Sequence, residues 1–118
     1  MIEYKNNSNN NVVELTVDGK ITTADFKSLM AKVEADFAKY GKLRVLEDIH
    51  SFKGIDPMVL WSALQQIRRI YDVTHAAIVV DAKWLRMISE VISGIYPFEI
   101  KVFERSLIEE ARFWLANC

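Results

Sequence analysis

The chain has 118 residues, which fits one domain spanning residues 1–118, because domains usually contain about 100–200 residues. Its 15 basic and 16 acidic residues exclude a general nucleic-acid-binding protein, which needs a basic surface. Its single cysteine, Cys118, excludes an intramolecular disulfide and a cysteine-based zinc site. No apolar run approaches the roughly 18 residues of a membrane span, and we expect a cytoplasmic protein.

The first part of the chain predicts a β-hairpin followed by a helix. Residues 12–17 are rich in β-branched side chains and precede an Asp-Gly turn signal, while residues 2–4 supply a hairpin partner. From Thr22 onward the apolar residues follow helical spacing, and either Thr22 or Thr23 is a predicted cap. Gly41 stands where a helix C-terminus favours glycine, and the helix is predicted to end there.

The predicted elements then alternate between strand and helix. The predicted strands are at 43–46, ending at Glu47 and Asp48, at 76–80 and at 98–103. The predicted helices are at 56–71 and 82–95, and a last helix begins with a capping box at 106–109 and ends near 116. The order ββαβαβαβα predicts an α/β fold with a mixed, mostly parallel sheet of about five strands, four helices and right-handed crossovers.

The known catalytic motifs are missing from the sequence. It has no glycine-rich phosphate loop, no zinc-protease motif and no nucleophile elbow, so we predict no catalytic residue, cofactor or metal. One cluster is expected at the carboxyl ends of the strands. Its members are Glu47, Asp48, His50, Asp56 and Asp81. Most of these residues are explained as a helix cap or strand ends, and a metal-assisted enzyme using Asp48, His50 and Asp81 is a weaker hypothesis.

The predicted second and third helices carry more apolar surface than one sheet face needs. On a helical wheel their apolar arcs cover roughly 200° and 160°, against about 100° for the first helix. The surplus residues that we predict to bind a ligand are Met58, Trp61, Trp84, Met87, Ile88 and Val91.

This apolar surplus has several explanations. The two helices could pack deeply and bury the residues internally, or a partner could cover them. The partners considered are a lipophilic small molecule in a groove between the two helices, a membrane surface contacted peripherally, a second copy in a homodimer, and a regulatory protein. We expect a non-enzymatic domain that binds a lipophilic molecule or a membrane surface. The alternative is a protein-interaction module or homodimer.

Several dispersed strings in the sequence resemble the SpoIIAA-like family. They are Asp18-Gly19-Lys20-Ile21-Thr22, Asp25-Phe26, Gly41-Lys42-Leu43-Arg44-Val45-Leu46-Glu47-Asp48, Ser51-Phe52-Lys53-Gly54, Met58-Val59-Leu60-Trp61, Asp81-Ala82-Lys83-Trp84, Glu110-Ala111 and Trp114-Leu115. The resemblance covers nearly the whole chain, but these strings identify a fold better than an activity.

The resemblance implies a STAS-like fold, distantly similar to the Sec14 or CRAL-TRIO lipid carriers. STAS antagonists carry a phosphorylatable serine where their second helix begins, whereas residues 54–57 here read Gly-Ile-Asp-Pro and contain no hydroxyl. Ser51 lies several residues upstream and is a poor substitute. The likeness to lipid carriers implies a hydrophobic groove built by movable helices.

Overall fold

The computed structural model describes residues 1–6, 10–51, 53–54, 72–85 and 99–118. Its five strands are β1 (Ile2–Lys5), β2 (Val12–Val17), β3 (Leu43–Ile49), β4 (Val73–Val80) and β5 (Glu99–Glu104). They form one sheet in the order β1-β2-β3-β4-β5, in which β1 pairs antiparallel with β2 and the other pairs are parallel. The predicted hairpin and the five-stranded mixed sheet of an α/β fold are therefore confirmed.

Helix α1 (Thr23–Tyr40) packs on one face of this sheet, called the α1 face below. Thr22 caps it through a capping box, because its hydroxyl accepts from the backbone N–H of Asp25 while the Asp25 carboxylate accepts from the backbone N–H of Thr22. Gly41 ends the helix at a φ of 79°, which favours glycine. Both predicted boundary signals are confirmed.

The α1 face is held together by a small apolar cluster. Phe37 of α1 is buried against Val13 of β2 and Leu43 of β3. The hydroxyl of Tyr4 on β1 donates a hydrogen bond of 2.5 Å to the carboxylate of Asp36 on α1. The first helix is thus attached to the edge strand by a polar contact as well as by apolar packing.

Helix α2 (Ile108–Ala116) covers the opposite face of the sheet, called the α2 face. Its Ala111 and Leu115 are fully buried against a cluster that includes Leu46, Val79 and Phe103 from three strands. This cluster and the one under α1 lie on opposite sides of the sheet because successive strand residues point to alternate faces. The sheet is therefore covered on both sides, as expected for parallel strands.

The start of the terminal helix differs from the prediction. A 3-10 turn (Arg105–Leu107) precedes α2, and no side chain caps the helix through a hydrogen bond. The capping box predicted from Ser106 and Glu109 is therefore wrong. Ser106 lies inside the tighter turn and so does not occupy the N-cap position, which Leu107 takes.

Two strands are longer than predicted. β3 continues to Ile49, so Glu47 and Asp48 lie within the strand and do not end it. β4 begins at Val73, three residues before the predicted start. In both cases pairing with the neighbouring strands extends the element past the local apolar run.

The predicted four helices are not matched within the described part of the chain. The second predicted helix, at 56–71, lies outside the described residues. Residues 82–85 are helical and agree with the start of the third, whose remainder at 86–95 also lies outside them. No helix among the described residues is both long and apolar enough to cross a bilayer.

We predict that Tyr4→Phe lowers the free energy of unfolding by about 1–2 kcal/mol, because the Asp36 carboxylate loses a partly buried hydrogen-bond donor. Urea denaturation measures the change. Tyr40→Phe is the matched control, since the Tyr40 hydroxyl makes no hydrogen bond among the described residues. Equal stability of the wild type and Tyr4→Phe would contradict the prediction.

Candidate functional site

Arg105 binds two carboxylates at the carboxyl ends of the parallel strands. Its guanidinium donates to Asp48 of β3 at 2.9 and 3.3 Å, to the carboxylate of Asp81 just after β4, and to the backbone oxygen of Ile49 at 2.5 Å. Arg105 itself follows β5 directly. One side chain therefore joins the ends of three neighbouring strands, and we call these contacts the Arg105 clamp.

The Arg105 clamp includes two residues of the predicted acidic cluster, Asp48 and Asp81. Asp48, His50 and Asp81 do meet at this edge, and the imidazole Nε2 of His50 lies 3.1 Å from the Asp48 carboxylate. The guanidinium of Arg105 supplies the positive charge between the two carboxylates. Among the described residues there is no group of three or more side chains arranged to hold a metal ion.

The other two predicted members are Asp56 and Glu47. Asp56 lies outside the described residues. Glu47 lies on the opposite face of the sheet from Asp48, since side chains alternate along β3. The metal-assisted hypothesis therefore gains no support from the described residues.

Ser51 is held by a local hydrogen-bond network next to this edge. Its hydroxyl donates to the Asp18 carboxylate at 2.7 Å and accepts from the backbone N–H of Gly19 at 2.9 Å. These contacts connect the loop after β3 to the turn after β2. They give Ser51 a structural role in joining two loops.

Trp84 is the predicted ligand-binding residue that the structure describes. It is half-buried and lies in the helical stretch after β4, where its backbone N–H donates to the backbone oxygen of Asp81. It lines a small depression together with Ile49, His50 and Ser51. The other predicted residues, Met58, Trp61, Met87, Ile88 and Val91, lie outside the described residues.

Glu47 is a carboxyl group in an apolar row of the α1 face. The strand register places Leu15 of β2 on one side of it and Ile78 of β4 on the other. Burial raises the pKa of the Glu47 carboxyl above its ordinary value, because an apolar environment disfavours the charged form. The apolar surroundings of Glu47 were not predicted from the sequence, because the local pattern indicated that the strand ends at this residue.

An aromatic cleft lies on the α2 face beside the edge strand β5. It has a volume of about 680 Å³, is open to solvent, and contains Phe103, Phe113 and Trp114. The Lys101 ammonium lies 5.3 Å from the ring centre of Phe103 and 5.9 Å from that of Trp114. Phe113 is 71% exposed. A large exposed ring beside an open cleft is typical of an interaction surface.

This cleft was not predicted from the sequence. The apolar surplus was assigned to the second and third predicted helices, and no prediction was made for the surfaces of β5 and the terminal helix. The cleft arises where Lys101 and Phe103 of β5 meet the aromatic side chains of α2. Pairing of these two elements is a tertiary contact that local patterns do not contain.

The architecture defines a class of protein: an α/β domain with a mixed sheet and a helix on each face. A family model described as SpoIIAA-like matches residues 12–116, and the chain belongs to the SpoIIAA-like family. No curated protein matches the chain closely enough to count as a relative.

A solved structure supports the same fold. It is an uncharacterized protein from Shewanella loihica PV-4 with a SpoIIAA-like fold, and it superposes with a TM-score of 0.77. The sequence identity is 21%, and the match covers 98% of this chain and 92% of the other. At this identity the likeness concerns the fold and carries no activity with it.

We predict that Arg105→Gln lowers the free energy of unfolding by about 2 kcal/mol, because two carboxylates lose their charged partner. Adding Asp48→Asn to the same chain should recover part of the loss. Urea denaturation measures both effects. Arg112→Gln is the control, with an expected cost of about 0.5 kcal/mol because its ion pairs are more exposed. Equal losses for the two single variants would contradict the importance of the clamp.

We predict that Glu47→Gln raises the melting temperature at pH 7 and leaves it nearly unchanged near pH 4. The folded-state pKa of Glu47 is raised, so above the ordinary pKa the folded protein holds more protons than the unfolded chain. This group therefore makes stability fall as the pH rises, and glutamine removes that loss. Thermal melts at both pH values measure it, with exposed Glu3→Gln as the control. An equal shift at both pH values would contradict the account.

Proposed function

We propose that this chain is a non-enzymatic domain that binds a lipophilic small molecule in an apolar groove. The groove residues are those predicted from the sequence: Met58, Trp61, Trp84, Met87, Ile88 and Val91. The observation that carries the proposal is the position of Trp84, which is half-buried and borders Ile49 at the end of β3. An indole there offers a ligand a large apolar contact.

The polar side chains at the same edge favour binding over catalysis. The carboxylates of Asp48 and Asp81 are both engaged by Arg105, and Ser51 is engaged by Asp18. A general base or a nucleophile needs a group whose proton or lone pair is free to act on a substrate. In the described part of this edge, the polar groups instead hold strands and loops together.

Binding would be driven by removal of the ligand's apolar chain from water. Each buried methylene contributes about 0.8 kcal/mol before the costs of ordering the ligand and the groove. Peripheral contact with a membrane surface would use the same apolar side chains, and a ligand delivered from a membrane would join the two activities.

The test measures uptake of the lipophilic fluorophore N-phenylnaphthylamine by wild type and Trp84→Gln. Wild type should enhance the probe's fluorescence, and Trp84→Gln should lower its affinity about tenfold or more, because a polar amide replaces the indole. Phe113→Gln is the control, since its exposed ring lies on the α2 face away from Trp84. Thermal melts establish that each variant is folded.

The pattern of results assigns the site. Loss in Trp84→Gln with full uptake in Phe113→Gln supports the proposed groove. Loss in Phe113→Gln alone would move the ligand to the aromatic cleft and contradict the groove. Undiminished uptake in both variants, or none in the wild type, would also contradict it.

A second candidate function is a protein-interaction module or a homodimer of STAS type. The observation that favours it is the exposed ring of Phe113 in the open cleft beside β5. It ranks second because one exposed ring does not define a partner. It predicts concentration-dependent association that Phe113→Gln abolishes, measured by analytical ultracentrifugation.

A further inference from the structure

Among the described residues, no charged side chain contacts the Glu47 carboxyl. Asp48 and Asp81 are bound by Arg105, and Glu14 is bound by Arg112 on α2. These ion pairs belong to the α2 face or to the sheet edge, whereas Glu47 shares the α1 face with Leu15 and Ile78. Among the described residues, Glu47 makes no ion pair and no hydrogen bond.

Glu47 is also adjacent to the proposed groove. Ile49 follows it by two residues on the same face of β3, and Ile49 borders Trp84. Glu47, Ile49 and Trp84 therefore lie in succession from the interior of the sheet face to its edge. A ligand chain resting against Trp84 and Ile49 would bring its head group within reach of the carboxyl.

We propose that the carboxyl of Glu47 is the polar anchor of the lipophilic ligand and hydrogen-bonds an uncharged hydroxyl head group. This inference rests on the function proposed above, because it assigns the ligand's polar end. It specifies the ligand class as an amphiphile with an apolar chain and a neutral oxygen-bearing head.

The preference for a neutral head follows from the surroundings of the carboxyl. Burial among aliphatic side chains raises its pKa and favours the protonated form. A carboxyl accepts a hydrogen bond from a hydroxyl head group in either state and also donates one when it is protonated. An ammonium head group only donates, and its charge would have to be desolvated in the same apolar environment.

The experiment compares octanol, octane and octylammonium as competitors that displace N-phenylnaphthylamine. The proteins are wild type, Glu47→Leu and Glu47→Gln. Leucine retains the apolar volume without a polar group, and glutamine retains a neutral donor and acceptor. We expect Glu47→Leu to weaken octanol binding about fivefold and to leave octane binding unchanged, because one net hydrogen bond is lost. Glu47→Gln should bind octanol nearly as well as wild type.

Each contrary result has a distinct meaning. If Glu47→Leu binds octanol as tightly as wild type while octane still displaces the probe, the anchor is wrong and the proposed binding function stands. Tighter binding of octylammonium than of octanol by wild type would overturn the neutral head group. If wild type takes up neither the probe nor octane, the proposed binding function and the proposed anchor are both wrong.

Discussion

The guanidinium of Arg105 connects parts of the chain that are distant in sequence but adjacent in the sheet. It pairs with Asp48 near the end of β3 and with Asp81 after β4. Arg105 itself follows β5 directly, where the chain turns towards α2. A partly buried guanidinium in this position fixes the geometry of the edge at which ligands of parallel sheets usually bind. Trp84 lies three residues after Asp81 and donates its backbone N–H to the backbone oxygen of that clamp residue.

The two sheet faces differ in how their charged residues are paired. On the α2 face, ion pairs such as Arg112 with Glu14 accompany a fully buried cluster around Ala111 and Leu115. On the α1 face, Glu47 lies in a row of apolar side chains without a partner among the described residues. The first arrangement stabilises the domain, whereas desolvation of the Glu47 carboxyl costs stability, and this cost fits the anchoring role proposed for it.

Features determined by neighbouring residues could be predicted from the sequence, and features determined by tertiary contacts could not. A cap at Thr22 or Thr23 and the stop at Gly41 are signalled by residues close to the helix ends, and the structure confirms a cap, at Thr22, and the stop. The partners of Arg105 lie 24 and 57 residues away, so no local pattern contains them. The capping box predicted at Ser106 failed because Ser106 lies within the 3-10 turn that begins at Arg105, and Leu107 takes the N-cap position. Of the predicted groove, the location of Trp84 is known from the structure, and the remaining residues stand as predictions.

The most direct test of the binding account is native mass spectrometry of the protein purified from cells, followed by solvent extraction and analysis of the released molecules. The account predicts a near-stoichiometric lipophilic molecule that stays with the monomer and is released by solvent, with a neutral oxygen-bearing head group. A ligand-free dimer would contradict it and would favour the interaction-module alternative.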